Sequence, residues 1–223
     1  MISPTTRLRR CSLRLLPLAL LASAAAVVPA LAQVGVRPAD EWIAVLDSPE
    51  RIESMRIPEL IARLEIRKGM VLADVGAGTG ILTGPLALAT GPEGVVYASD
   101  IDKALLAHVE KRAASSRLPN VRIVLGSFTD PLLPQQVDLA LMNDVLHHVQ
   151  DRASYLKNLA RHLKKGGRLA IVDYTADGSP HRNDPAQVVT EPQVNEWAAA
   201  AGLERTQAFA LYSDRYFVVY TKR

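Results

Sequence analysis

The chain has 223 residues, 48% of them apolar and 22% charged, which is enough for one domain with a full core. Its formal charge of +3 suggests a nucleic-acid partner, yet Arg7, Arg9, Arg10 and Arg14 all lie in the first 32 residues, which hold no acid. Beyond them stand 22 basic and 23 acidic side chains, so the basicity belongs to that segment and no nucleic-acid partner is expected.

Residues 1–32 read as an export signal. Basic residues precede an apolar stretch from Leu15 to Val28, and Ala30-Leu31-Ala32 offers a small-residue cleavage site before Gln33. The stretch, interrupted by Pro17 and Ser23, is short against the roughly 20 residues of a spanning helix. The expectation is a periplasmic protein with no membrane span after leader removal, by general or twin-arginine export. An unprocessed leader would leave the chain cytoplasmic or anchored. The one cysteine, Cys11, lies in this leader. The mature chain therefore has no thiol for a disulfide, a cysteine metal site or a nucleophile.

Residues 33–66 read as linker and N-terminal helical cap. Helical spacing runs over Glu41–Leu46 and Pro49–Leu64, with Pro58 suited to a first turn. From residue 67 to 223 strands and helices alternate. Strand-like runs are Val71–Val75, Val95–Ser99, Val121–Leu125, Val137–Met142 and Leu169–Tyr174; helical patterns are Ile81–Ala89, Lys103–Ser115 and Arg152–Lys164. Gly166 and Gly167 suit the end of a helix and a turn. A helix over Pro192–Ala201 and two last strands, Leu203–Ala210 and Tyr216–Thr221, close the chain. Short apolar strands alternating with helices predict an α/β, Rossmann-like, doubly wound sheet. It is mostly parallel and ends in an antiparallel C-terminal strand pair.

Chemistry concentrates where the first strand ends. Asp74, Gly76, Ala77, Gly78 and Gly80 lie in the run D-V-G-A-G-T-G. Glycines there allow a sharp turn and a close backbone approach to a ligand. The helix that follows offers free N–H groups to carboxylate or phosphate. The dinucleotide pattern G-x-G-x-x-G does not fit: its third glycine would fall on Ile81 or Thr83. Asp100 ends the second strand, 20 residues after Gly80, where an acid takes ribose hydroxyls. Asp102 suits the cap of the next helix.

The D-x-G-x-G-x-G run after a strand resembles motif I of the class I S-adenosylmethionine (SAM) methyltransferases. Asn143-Asp144-Val145-Leu146-His147-His148-Val149 and Leu163–Leu169 resemble stretches of the small bacterial ubiquinone/menaquinone-biosynthesis type. The resemblance spans Asp40 to the C-terminus and implies a seven-stranded fold with SAM as cofactor. It implies that the glycine turn holds the methionine part of SAM, that Asp100 binds the ribose, and that Ile101 packs on adenine. Asn143 lies among the cofactor contacts. Where the family carries an acid for the adenine amino group this chain has Ser127, with Asp130 as a nearby substitute. Phe128 either stacks on adenine or belongs to the core.

Methyl transfer needs alignment of the acceptor and exclusion of water. It needs a general base only when the acceptor loses a proton during transfer. Asp144, His147 and His148 are the candidates. Adjacent helical positions diverge by about 100°, so the two histidines are not both expected to face the cofactor. His148, four residues from Asp144, shares its face if the stretch is helical, which would raise the imidazole pKa. The alternative is one histidine packed on the sheet and one solvated. His181 and Arg182, in the segment Thr175–Val189, are either acceptor contacts or solvated loop residues. No His/carboxylate set has metal-ligand spacing, so no metal is expected. The short variable segments favour a small-molecule acceptor. The competing readings are an exported SAM-fold binding protein without catalysis and an NAD-dependent oxidoreductase.

Overall fold

The computed structural model describes Met1 and residues 38–223. The leader expected over residues 1–32 and the start of the linker lie outside the described residues. Seven strands form one sheet: β1 (Val71–Val75), β2 (Val95–Asp100), β3 (Val121–Leu125), β4 (Val137–Asn143), β5 (Leu163–Tyr174), β6 (Leu203–Ala208) and β7 (Arg215–Lys222). Their order is β3-β2-β1-β4-β5-β7-β6. The first five are parallel, and β7 runs antiparallel between β5 and β6. This is the seven-stranded sheet that the alternation of runs predicts. Chain order reverses between β1 and β4, so a crevice opens at their carboxyl ends.

The inner strands β1, β4 and β7 are buried over most of their length because both faces are covered, whereas the edge strands β3 and β6 carry exposed residues. Ala140, Met142, Ile171 and Val218 meet α6 (Arg152–Arg161) and α7 (Glu191–Ala200) through Leu156, Leu159 and Val194. On the other face Leu72, Leu139, Leu141 and Val172 meet α3 (Ile57–Arg63) and α4 (Thr83–Thr90) through Leu60, Leu82 and Leu86. A fifth helix, α5 (Lys103–Ser115), lies against β2 and β3; Asp102 caps it, its carboxylate accepting from the Ala104 and Leu105 amides. Among the described residues no helix is long and apolar enough to cross a membrane.

Two expectations about elements are corrected. The span Pro49–Leu64 is not one helix. It divides into α2 (Pro49–Ser54) and α3, and Arg56 between them takes a left-handed φ of 46°. Pro58 has no amide hydrogen for an i→i−4 bond and would clash with the preceding turn, so a helix can begin there but not pass through. The glycine pair does not end a helix. The helix stops at Arg161, and the pair lies inside β5, where Val137 pairs with Leu163 but Leu139 pairs with Arg168. Gly166, at φ +74°, lets the surplus residues bulge out.

Upstream, α1 (Ala39–Leu46) completes an N-terminal cap with α2 and α3. Leu60 is its anchor, fully buried against the sheet. Leu60→Ala is expected to cost about 2–5 kcal/mol and to shift the urea midpoint of one cooperative transition. A separate early transition would show instead that the cap unfolds independently of the sheet.

Candidate active site

At the end of β1 all three motif glycines have positive φ. Their roles differ. A Cβ on Gly76 would lie 2.4 Å from a methyl of Val145, so this glycine lets the turn pack against the segment after β4. A Cβ on Gly78 would face Leu46 of α1 at 3.2 Å, so here the turn meets the cap. The Gly76 and Ala77 amides donate to the Ser99 carbonyl at 2.8 and 3.0 Å, stitching the turn to the end of β2.

Asp74 is buried and accepts a 2.6 Å hydrogen bond from the Thr83 hydroxyl at the start of α4. Burial raises its pKa to about 6 despite that bond, with nearby Asp100 adding a smaller push in the same direction. Asp100 accepts from the Gly78 amide at 2.8 Å on one oxygen and from the Asp102 amide at 3.0 Å on the other. Burial raises its pKa as well, with these backbone bonds opposing the rise. Each oxygen keeps a further lone pair, so the carboxylate can still accept from a diol. Ile101 beside it is half-buried.

The cap closes over this turn. Asp47 at the end of α1 accepts from the Thr79 hydroxyl at 2.6 Å and from Arg112 of α5 at 3.1 Å. Leu46, Arg51 and Met55 roof a cavity of about 30 Å³ whose floor includes Asp74, Gly76, Ala77 and Asn143. That is room for one or two waters, far below the several hundred Å³ that a nucleoside-sized ligand fills. A larger groove of about 760 Å³, lined by Lys164, Lys165 and Arg168, lies at the opposite, amino-terminal ends of the strands and away from the crevice.

The adenine side departs from expectation. The Ser127 hydroxyl accepts from the Asp130 amide at 3.0 Å and lies within that chain turn. Asp130 uses one carboxylate oxygen, Oδ1, for both His162 at 2.7 Å and the Leu132 amide at 2.7 Å. Phe128 is no core residue, being 59% exposed.

After β4 the structure overturns one pairing. Asp144 and His148 do not share a helical face, because only Leu146–His148 is helical, as a single 3-10 turn, and Asp144 has a left-handed φ of 55°. Asp144 instead binds Arg51 of the cap at 3.0 Å and Arg215 of β7 at 2.9 Å. Burial raises its pKa against the pull of both guanidiniums. The carboxylate that meets a histidine is Asp173, at the end of β5, 2.7 Å from His147 Nδ1. Its other oxygen accepts the His147 amide at 3.1 Å. His148 stacks on His147 with ring centroids 4.0 Å apart, and His181 approaches both at 5.3 and 5.7 Å. His148 is exposed by surface area, but its ring is crowded. Desolvation first, then the neighbouring imidazoles, pushes its pKa below the usual value. The pair with Asp144 that would have raised it is absent.

Asp173, Arg51 and Arg215 were missed by sequence reasoning. Asp173 was legible, since it ends a strand as Asp74 and Asp100 do. Nothing local marks the two arginines. Tyr174 belongs to the same group, its hydroxyl accepting from Arg215 at 2.7 Å.

This sheet order, with a glycine turn after β1 and an acid at the end of β2, is that of a Rossmann-like, doubly wound α/β domain. Residues 73–171 match the methyltransferase domain family. A demethylmenaquinone methyltransferase of Geobacillus sp. (strain WCH70) is 30% identical over 116 residues, covering 52% of this chain and 50% of that one. The chain spans half or less of the length of the curated relatives it matches first. A SAM-dependent methyltransferase from Aquifex aeolicus superposes with TM-score 0.75 at 23% identity, covering 84% of this chain and all of that one. Magnesium protoporphyrin IX methyltransferase from Synechocystis PCC 6803, solved with bound SAH, superposes at TM-score 0.66 and 15% identity, covering 82% and 93%. Over residues 73–171 the chain is thus similar to the methyltransferase domain family, and its fold is that of solved SAM-dependent methyltransferases.

Asp74 provides a pH test. Its pKa is raised in the folded state, so the native protein holds the proton more tightly than the unfolded chain. Its contribution is fully present below about pH 4 and is lost as pH rises through about 6. Asp74→Asn is expected to flatten stability against pH across that window, by about 3 kcal/mol, in urea unfolding without ligand. Parallel curves for the two proteins would remove the buried charge from the account.

Proposed function

We propose that this protein transfers the methyl group of SAM to a small-molecule acceptor. The observation that carries the reading is the meeting of the left-handed glycine turn and the Asp100 carboxylate at the point where strand order reverses. Asp74, Gly76, Ala77, Gly78, Gly80 and Asn143 would hold the amino-acid end of SAM, and Asp100 its ribose. Ile101 and exposed Phe128 would flank adenine. The Ser127 hydroxyl is in a local bond, while Asp130 uses Oδ1 alone, so its other oxygen would be the side-chain acceptor nearest adenine.

When bound, SAM supplies a methyl carbon already activated by its sulfonium. The chain's part is to position and to exclude water. Leu46, Arg51 and Met55 line the same cavity as the glycine turn, so the amino-acid end of SAM would lie against the cap. The acceptor would approach past His147, His148 and His181. Of the three base candidates, His147 is the one whose ring a buried carboxylate orients. The likeness to demethylmenaquinone methyltransferase supports an aromatic, quinone-like acceptor. We propose further that residues 1–32 direct export, with cleavage after Ala32; the mass of the mature protein from its native cell tests this.

Calorimetric titration with SAM, and separately with NAD, tests the cofactor. Gly78→Val places a β-branched residue at φ +54° against Leu46. It is expected to abolish SAM binding while circular dichroism stays native. Asp100→Ala is expected to weaken SAM by roughly 1–3 kcal/mol. Unchanged affinity in both variants would overturn the site, and NAD binding in place of SAM would overturn the class. SAM binding with no transfer of labelled methyl into a cell extract or to a quinol would indicate a binding protein.

A further inference from the structure

We infer that His147, His148 and His181 form a binding site for one divalent metal ion of the zinc class, with an open coordination position. One nitrogen from each ring can be chosen so that all three lie within 4.8 Å of one another. Three imidazoles on a tetrahedral ion at 2.0–2.1 Å stand about 3.4 Å apart, so closure asks each ring to move by about an ångström or less. His181 sits on the connection between β5 and α7 and is half-buried, so that movement falls on a loop rather than on the sheet. Centroid distances of 5.3 and 5.7 Å from His181 to the other rings allow it.

The second observation is independent of the cluster. Asp173, itself almost wholly buried, takes His147 Nδ1 at 2.7 Å. With Nδ1 held by that carboxylate, Nε2 is the ring nitrogen left to bind a metal ion. A carboxylate behind a histidine is the usual outer-shell partner of a metal-bound imidazole. The same carboxylate accepts the amides of His147 and Tyr174, so it is rigidly held. Arg152 brings the two halves of the site together. Its guanidinium donates to the carbonyls of Leu146, His147 and Ala186, tying the turn after β4 to the segment that carries His181.

The donor set decides the class of ion. Three neutral nitrogens and no sulfur suit zinc, copper, nickel or iron rather than magnesium or calcium. Three protein ligands with one position free is the arrangement of catalytic, not structural, zinc. The free position can take water or an oxygen of an incoming molecule. The site rests on these three rings and Asp173, and stands or falls separately from SAM binding.

The test uses the full-length chain carrying Cys11→Ser, which removes the one competing thiol. Metal-free protein is titrated with Co²⁺ as a zinc probe, followed by visible d–d absorption, and then back-titrated with Zn²⁺. The expected result is one equivalent of Co²⁺ with the intense bands of four- or five-coordination, displaced by Zn²⁺. His181→Ala, on the loop, and His148→Ala, on the exposed edge, are each expected to abolish those bands with native circular dichroism. Asp173→Asn is expected to keep the band shape and weaken affinity by about 10–100-fold. No bands in the parent protein, or bands retained in both histidine variants, would overturn the assignment. SAM affinity measured on the same samples keeps the two readings apart.

Discussion

The rest of the site depends on how tightly the turn after β1 fits against the segment after β4. There is no room for a Cβ at Gly76, because the Val145 methyls occupy that space. The same turn donates two amides to Ser99, which fixes the end of β2 and brings Asp100 onto Gly78. One side-chain-free residue thus sets two distances together. It places the carboxylate beside the turn, and it places Asp144, His147 and His148 at the crevice. A larger residue at position 76 would have to push one of these groups away. Interiors are close-packed, so the displacement would not be absorbed locally.

Above this rigid floor the cap is held by weaker means. Asp47 with Arg112, and Arg51 with Asp144, are polar contacts, and the first pair is partly exposed. Exposed ion pairs of this kind are worth roughly 0–1 kcal/mol. The anchor at Leu60 is apolar and fully buried. Met55, at the end of α2, is buried in the same apolar cluster, so the cap is anchored at two points while α1 is held by the partly exposed pair.

The sheet and the cofactor side were legible in the sequence because their signals are local. Apolar runs mark strands, glycines at alternate positions mark the turn, and Asp100 follows its strand directly. The acceptor side was not. His147 and Asp173 are 26 residues apart, Asp144 and Arg215 are 71 apart, and Arg51 and Asp144 are 93 apart. The sheet order brings them together: β5 lies between β4 and β7. The expected face shared by Asp144 and His148 failed because it assumed a helix where one tight 3-10 turn stands. The continuous helix over Pro49–Leu64 failed for a reason that was visible, since Pro58 closes off the preceding turn.

Asp144 carries two guanidiniums, and they come from different bodies of the fold. Arg215 belongs to the central sheet and is itself buried, while Arg51 rides on α2. Only one of the two counter-ions depends on where α2 lies. The anion is therefore never stranded without a partner, a situation that costs several kcal/mol in a protein interior. A neutral residue in place of Arg51 would thus still leave the buried carboxylate with a guanidinium against it.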